Sequence, residues 1–333
     1  MTHSADIKTP SDLSHTETIA QVKLPPIAER PEVSIIVPSY NQGRFIRATI
    51  DSILSQNYRP IRIYVIDGAS KDETVEVLRS YGNIPELNWV SEPDKGVVDA
   101  VNKGFARVTG EIIAIQSSDD MYMPGTVQRI VETFRSNSAV GLVYGDTMKV
   151  DADGNVLLKY QNGPFSLENL FLFRTWIPQP SAFFRREMLQ ACGGWDERIP
   201  YAPDTDLWIR MAYRTKVLKI DEYFSQRRMH DAQRDTQKKK IIRDYCRMID
   251  QSQEIAGSPR RIQQAAQAGK YLLKIRYNSN GSDWSNAWNR LMAGWLYPEL
   301  SAPSKVVRDL TLPPRRFLSA IRKKIFCTHA KSE

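Results

Sequence analysis

The stretch GEIIAIQSSDD, residues 110–120, decides the fold. Its first half carries Ile112, Ile113, Ala114 and Ile115 in an unbroken apolar run. Such a run fits a strand covered on both faces in a parallel sheet. Its second half ends in two adjacent acids, Asp119 and Asp120. Successive side chains on extended backbone point to opposite sides. Two carboxylates at a strand end can therefore serve two targets, for example a ribose hydroxyl and a divalent cation. Hard cations such as Mg²⁺ take carboxylate oxygen together with substrate phosphates. The plainer reading is a solvated turn in which a Ser-Asp pair caps a helix opened by Pro124.

Upstream of this stretch the pattern repeats. Residues 34–37 form a short apolar run closed by Pro38, followed by Ser39, Tyr40, Asn41, Gln42 and Gly43. Phe45, Ile46, Ile50, Ile53 and Leu54 then fall at helical spacing. A second strand, 61–66, ends in Asp67-Gly68-Ala69-Ser70, and a helix with Val75 and Leu78 on its buried face follows Asp72 and Glu73. A third strand, 87–90, ends in SEPDKG, and its helix carries Val97, Val98, Val101 and Phe105. This β-α-β-α-β-α-β order with short connections predicts an α/β fold, a doubly wound and mostly parallel sheet with flanking helices. Tyr40, Asp67, Asp94, Asp119 and Asp120 all fall where a strand meets its helix. That is the carboxyl edge, where open α/β sheets bind ligands. There is no G-x-G-x-x-G after the first strand and no G-x-x-x-x-G-K-[ST] anywhere. Phosphates bound here would need a cation rather than a glycine cradle.

Downstream, Val127, Ile130, Val131 and Phe134 mark a helix after Pro124. Residues 140–144 read as a strand, and 147–150 with 156–160 as a hairpin around Asp151-Ala152-Asp153-Gly154-Asn155. As a calcium loop this turn has its glycine one place early and lacks the closing Glu, so an Asp-Gly hairpin turn is expected. Residues 164–175 look helical. Within 176–212, Asp204 precedes a helix carrying Leu207, Trp208 and Met211. It is either an N-cap or an acid aimed into the crevice. A strand at 216–224 leads to Gln226-Arg227-Arg228-Met229-His230. Arg228 and His230, two apart on extended backbone, share a face and form a candidate phosphate- or metal-binding pair. From about 236 the chain reads as helical and basic, with Ile241, Ile242, Tyr245 and Ile249 on one face, and then a stretch around Leu272 and Ile275. Residues 284–297 hold Trp284, Trp288, Trp295 and Tyr297. There are no internal repeats.

The formal net charge is +8 and the pI about 9.3 over 333 residues, which suits an anionic partner. Residues 305–333 carry eight basic residues against Asp309 and Glu333. Leu318, Ile321, Ile325 and Phe326 lie among them as an apolar stripe at helical spacing. That combination predicts peripheral contact with a membrane surface. A nucleic-acid partner is not expected, because the basic residues gather without an aromatic-basic recognition motif. No apolar run approaches the roughly 18 residues of a membrane span. The N-terminus lacks the apolar core of a signal peptide. Cys192, Cys246 and Cys327 read as reduced thiols, and a cytoplasmic protein is expected. The expected organisation is a disordered arm over 1–32, a catalytic domain over 33–232, and a basic helical C-terminal region over 233–333.

With these motifs assembled, residues 33–232 resemble the family-2 inverting glycosyltransferases of the GT-A fold, of the non-processive bacterial type. VSIIVPSYNQGRFIRATIDSILSQ looks like that family's opening strand and helix. IDGASKDET looks like its second nucleotide-binding turn, and SEPDKGVVDAVNKGFARVTGEIIAIQSSDD like the stretch ending in its DxD motif. The resemblance implies a nucleotide-sugar donor, a glycan or lipid-linked acceptor in cell-surface polysaccharide synthesis, and Mn²⁺ or Mg²⁺ as cofactor. It implies a nucleoside site lined by Pro38, Tyr40, Asp67 and Asp94, with Asp67 on the base, and Asp119 near the ribose. Asp120 would hold the metal on the diphosphate, and Asp204 matches the catalytic base. His230 falls at a diphosphate or metal contact. An acid on the base N3–H would favour a UDP- or dTDP-sugar over a cytidine donor. Two departures stand out. Ser118 replaces the first acid of a strict DxD, and Pro203 the Glu of a Glu-Asp pair. The Q-x-x-R-W motif of processive synthases is absent. The rival enzyme class, a nucleotidyltransferase, would carry a glycine-rich basic loop where PSYNQG stands. A non-catalytic sugar- or lipid-binding protein would not need Asp67, Asp119, Asp120 and Asp204 together.

Overall fold

The computed structural model describes residues 21–230, 237–278 and 283–300. Four strands, β1 (Val33–Ser39), β2 (Ile61–Asp67), β3 (Leu87–Ser91) and β4 (Ile112–Ile115), lie parallel in the order β3-β2-β1-β4. The crossovers are α1 (Gly43–Leu54), α2 (Thr74–Ser80) and α3 (Val97–Phe105). The alternation of side chains sorts these strands onto two cores. Val33, Ile35 and Val37 of β1, with Ile112 and Ala114 of β4, pack with Ile46, Ile50 and Ile53 of α1. Ile36, Ile113 and Ile115 face the other way, onto Val98 and Val101 of α3. Strands covered on both faces need continuous apolar runs, as the central stretch has.

The second half of the sheet is mixed. It is built from β5 (Met121–Tyr122), β6 (Val140–Val150), β7 (Val156–Tyr160), β8 (Ala182–Arg185) and β9 (Lys216–Arg228). β8 runs antiparallel to both β4 and β6. β6 runs parallel to β9, and β9 antiparallel to β5. The sheet is therefore a parallel half joined through β8 to a mixed half, with α4 (Thr126–Ser136), α6 (Arg186–Cys192) and α7 (Pro203–Ala212) on its flanks. The hairpin β6–β7 forms as expected, with the Asp151 carboxylate accepting the N–H groups of Asp153 and Asn155. β6 is one continuous strand rather than two pieces. The helix expected over 164–175 is only α5 (Leu167–Phe171), capped by the Ser166 hydroxyl and ended at Phe173, whose φ of 54° leaves the helical region.

The stretch expected as a disordered arm does not end in disorder. Residues 1–20 lie outside the described residues, but from Gln21 the chain straps along the domain. Val22 N–H donates to Arg214 O, Ala28 N–H donates to a Glu111 carboxylate oxygen, and the buried Arg185 guanidinium donates to Pro25 O. Val22 and Leu24 pack on one core and Ile27 on the other, which offsets the entropy of ordering this segment.

The C-terminal helices α8 (Lys238–Gln251), α9 (Gln253–Ala256), α10 (Arg260–Tyr277) and α11 (Asp283–Leu296) build a third core. Tyr245, Met248, Ala265, Ala266, Ala268 and Leu273 close against Leu170 and Phe171 of α5 and Ile209 of α7. This core straddles the domain boundary expected near residue 232. Residues 305–333 lie outside the described residues. Among the described residues no helix is long and apolar enough to cross a membrane.

Close approach of α10 to α5 depends on Gly269, where an added Cβ would sit 2.4 Å from Phe171 O. A backbone atom cannot yield as a side chain can. Gly269→Ala is expected to destabilise by about 1–3 kcal/mol through overpacking. The fall should appear in the midpoint of denaturant unfolding. An unchanged midpoint would mean that α10 is not seated on α5 in this way.

Candidate functional site

The carboxyl edge of the parallel half faces the N-terminus of α7 and the helices α8 and α10 across one crevice of about 1100 Å³. Its first wall comes from interlocked βα turns. Asn41, at φ 52°, donates its backbone N–H to the Ser70 hydroxyl, and the Asn41 amide oxygen accepts from Lys71 N–H. Ala69 is also left-handed, at φ 58°. Non-glycine residues held in that region cost on the order of 1 kcal/mol each. The turn is fixed from below by Asp72, whose carboxylate accepts from Gly43 N–H and from Thr74. Pro38 and Tyr40 line the crevice above it.

Two acids expected at the nucleoside behave differently. Asp94 lines the crevice, and its carboxylate accepts the Gly96 N–H at 2.8 Å. It can sit there because Gly68 has no side chain; a Cβ would meet Asp94 Oδ2 at 2.5 Å. Asp67 is fully buried and is absent from the lining. Its carboxylate accepts from Ser70 N–H, from the Ser70 hydroxyl and from the Ser91 hydroxyl. The base contact expected of Asp67, and the uracil or thymine preference that rested on it, are not what this geometry presents. Asp67 anchors two turns instead.

The acid pair at the end of β4 is held from three directions. Thr49 of α1 donates to Asp120 O, and Arg228 N–H donates to Asp120 Oδ1 at 2.9 Å. Asp119 Oδ2 lies 2.9 Å from His230 Nε2, and the His230 ring stacks 4.9 Å from that of Phe45. Asp119, Asp120 and His230 all line the crevice. Burial and the neighbouring Asp119 charge push the Asp120 carboxyl well above the usual carboxylate range, with Arg227 opposing. A buried acid raised by a second acid gains from any cation that joins the pair.

Arg228 is not in the crevice. Its guanidinium is buried, donating to Asp119 O and Ala152 O and resting 5.0 Å over Phe45. It ties the acid turn to the β6–β7 hairpin. The expectation that Arg228 and His230 share a face fails because β9 ends at Arg228. Strand alternation ceases to apply there. The crevice takes Arg227 instead, along with Lys149, Lys238 and Arg276. Alternation along β9 holds the signal for Arg227, since neighbours on a strand face opposite ways.

Asp204 lines the same crevice. It is not the N-cap of α7: that position is Ala202, with Pro203 at the first helical position. Asp204 therefore sits in the first turn, on a helix whose Leu207 and Trp208 are buried in the second core. The loop before it is pinned from the C-terminal region, because Tyr201 N–H donates to the buried carboxylate of Asp244 in α8. Sequence reading did not single out Trp176 and Trp195. Both line the crevice together with Trp208, and none of the three indole N–H groups has a hydrogen-bond partner.

Among the described residues, no three or more His, Cys, Asp and Glu side chains form a metal cage. A hard cation that shares substrate phosphates does not need one. The donor set at hand is the Asp120 and Asp119 carboxylates with His230 on the latter. Oxygen donors of this kind suit Mg²⁺ or Mn²⁺, so the residues fit. Asp120→Asn keeps the acceptor for Arg228 N–H while removing the unfavourable buried charge. The metal-free variant is expected to melt at or above the parent temperature, and to lose the rise in melting temperature that Mn²⁺ with a nucleoside diphosphate gives the parent. Calorimetric scans with and without Mn²⁺ test this. An undiminished Mn²⁺ effect would remove Asp120 from the cation site.

Comparison with known proteins points to glycosyltransferases. The family model described as Glycosyl transferase family 2 matches residues 34–193. A chondroitin synthase of Pasteurella multocida is 28% identical over 63% of this chain, and a hyaluronan synthase of the same species is 28% identical over 60%. The matches cover only 22% and 21% of those two proteins. An uncharacterized glycosyltransferase of Mycobacterium tuberculosis is 29% identical over 78% of this chain and 98% of its own length. In fold, the chain is similar to S. aureus TarS residues 1–349 in complex with UDP-GlcNAc, at a TM-score of 0.60 and 13% identity, covering 81% of this chain and 89% of that one. It is also similar to the mannosyltransferase PcManGT of Pyrobaculum calidifontis in complex with GDP-Man and Mn²⁺, at 0.58 and 20%, covering 87% and 82%. The fold is therefore that of GT-A-like glycosyltransferases, a mixed sheet with flanking helices.

Proposed function

We propose that residues 34–193, which match the family 2 glycosyltransferase model, form the catalytic domain of a protein that transfers a single sugar, with inversion, from a nucleoside diphosphate sugar to a hydroxyl of a glycan or lipid-linked acceptor in cell-surface polysaccharide synthesis. The observation that carries this reading is the one crevice that the Asp119–Asp120 pair and Asp204 line together. The donor nucleoside lies against Pro38, Tyr40 and Asp94. Asp119 faces the ribose, and Asp120 with His230 faces the diphosphate. Mg²⁺ or Mn²⁺ held there would neutralise the charge that develops on the leaving diphosphate. Arg227, Lys149 and Lys238 line the same crevice and supply further positive charge to it.

The chain's own residues do the rest. The acceptor hydroxyl is a weak nucleophile near neutral pH. Asp204 takes its proton as the hydroxyl oxygen bonds to the anomeric carbon and the bond to the diphosphate oxygen breaks. Attack from the face opposite the leaving group inverts the anomeric centre and needs no covalent sugar-enzyme intermediate. Rigid seating on α7, with Tyr201 tied to Asp244, holds the base at the required position. The protein works on the cytoplasmic side. The basic residues of 305–333 draw it to an anionic membrane face, each contributing about 1 kcal/mol near such a surface.

Asp204→Asn removes the proton acceptor at constant size. Single-turnover transfer should fall by about 10²–10⁴-fold while nucleotide binding and melting temperature stay near the parent values. Because Asp204 is not the cap of α7, the substitution leaves the helix start intact. Transfer at the parent rate would take the base role away from Asp204.

A further inference from the structure

Helix α11 has two apolar faces, and among the described residues only one is packed. Its inner face sends Ala287, Ala293 and the following Tyr297 into buried positions against the C-terminal core. Its outer face carries Trp284, Trp288, Leu291 and Trp295, which are 51%, 59%, 44% and 73% exposed. Spacings of four, three and four residues put these four on one stripe. Single exposed hydrophobic residues are ordinary, but three tryptophans in one row on a 14-residue helix mark an interaction surface.

We propose that this stripe is a lipid-docking face that lays α11 flat in the headgroup region of an anionic bilayer. Tryptophan pairs an apolar ring with a polar N–H and concentrates where membrane meets water. At about 21 Å the helix is too short to span, which suits an in-plane position. Charge supports the same occupant. The chain carries +8 overall, and eight basic residues against two acids follow this helix within 305–333. An anionic surface attracts that charge, whereas a second copy of the same chain is repelled by it. Stable peripheral binding takes two signals, an apolar insertion and a polybasic stretch, and the two adjoin in this sequence.

Position then gives the face a use. α11 packs on α10, whose Leu273, Arg276 and Tyr277 line the crevice on the Asp204 side. A helix lying in the headgroups would hold that side of the crevice near the bilayer, where a lipid-linked acceptor resides. The inference deepens the membrane contact proposed for residues 305–333, and needs neither the donor nor the metal assignment.

The test uses the full chain with phosphatidylcholine vesicles, with and without phosphatidylglycerol, in the absence of nucleotide sugar. The parent should co-sediment with the anionic vesicles and its tryptophan emission should move to the blue. The triple variant Trp284→Ser, Trp288→Ser, Trp295→Ser should partition about tenfold less or weaker still, with unchanged circular dichroism and nucleotide binding. Trp295→Ser alone, at the most exposed position, should show part of the loss without risk to the fold. Three results would overturn the proposal: no vesicle binding by the parent, equal binding by the variants with salt sensitivity retained, or a parent dimer that the variants dissolve. The second would leave the basic segment as the whole anchor, and the third would make the stripe a contact between copies. Donor turnover is measured separately, so the transferase reading stands or falls on its own.

Discussion

Two carboxylates stand side by side at the end of β4, and one of them is buried. Asp120 is removed from water beside Asp119, and its proton is held more tightly for that reason. A protein that places two acids this way must hold them against their repulsion. The holding groups come from distant parts of the chain: Thr49 from α1, Arg228 from the end of β9, and His230 just beyond it. Arg228 reaches further, to the carbonyl of Ala152 in the β6–β7 turn. The mixed half of the sheet thus locks the acids of the parallel half. A cation shared with substrate phosphates would turn the repulsion into binding energy.

The same arrangement divides the labour between the two halves. The parallel half supplies turns with left-handed residues, the buried anchor Asp67 and the surface anchor Asp72, which shape the crevice wall. The other half and the C-terminal helices supply Asp204, three unpartnered indole N–H groups and the aromatic lining of Tyr160, Phe173 and Tyr277. Unpaired buried donors cost about 1–3 kcal/mol each. The C-terminal region is therefore part of the site, since α8 fixes the loop before Asp204 and α10 closes the crevice.

Much of this was legible in the sequence, for identifiable reasons. Strands β1 to β4 are buried on both faces, so their apolar runs and the acids that follow them announce both the sheet and its ligand edge. Asp94, Asp119, Asp120, His230 and Asp204 all line the crevice as expected. What escaped depended on tertiary pairing. β8 is four residues, AFFR, and a short apolar run carries no period that separates strand from helix. Asp67 was assigned to the nucleoside by its place after β2, but Ser70 and Ser91 fold their hydroxyls over it. Arg227 rather than Arg228 lines the crevice because β9 stops between the pair and His230, a boundary set by the β6 and β5 pairings rather than by local composition. The outward tryptophans of α11 were visible as a cluster, yet only packing shows which face is spent on the core.

The most direct measurement presents the full chain with a panel of nucleotide sugars, with and without Mn²⁺, and reads out released nucleoside diphosphate. The account predicts that at least one donor is turned over, that release needs the divalent cation, and that chelation abolishes it. Full release in the presence of chelator would contradict the role given to the Asp119–Asp120 pair. Failure of every nucleotide sugar to bind or turn over would contradict the reading of the crevice itself.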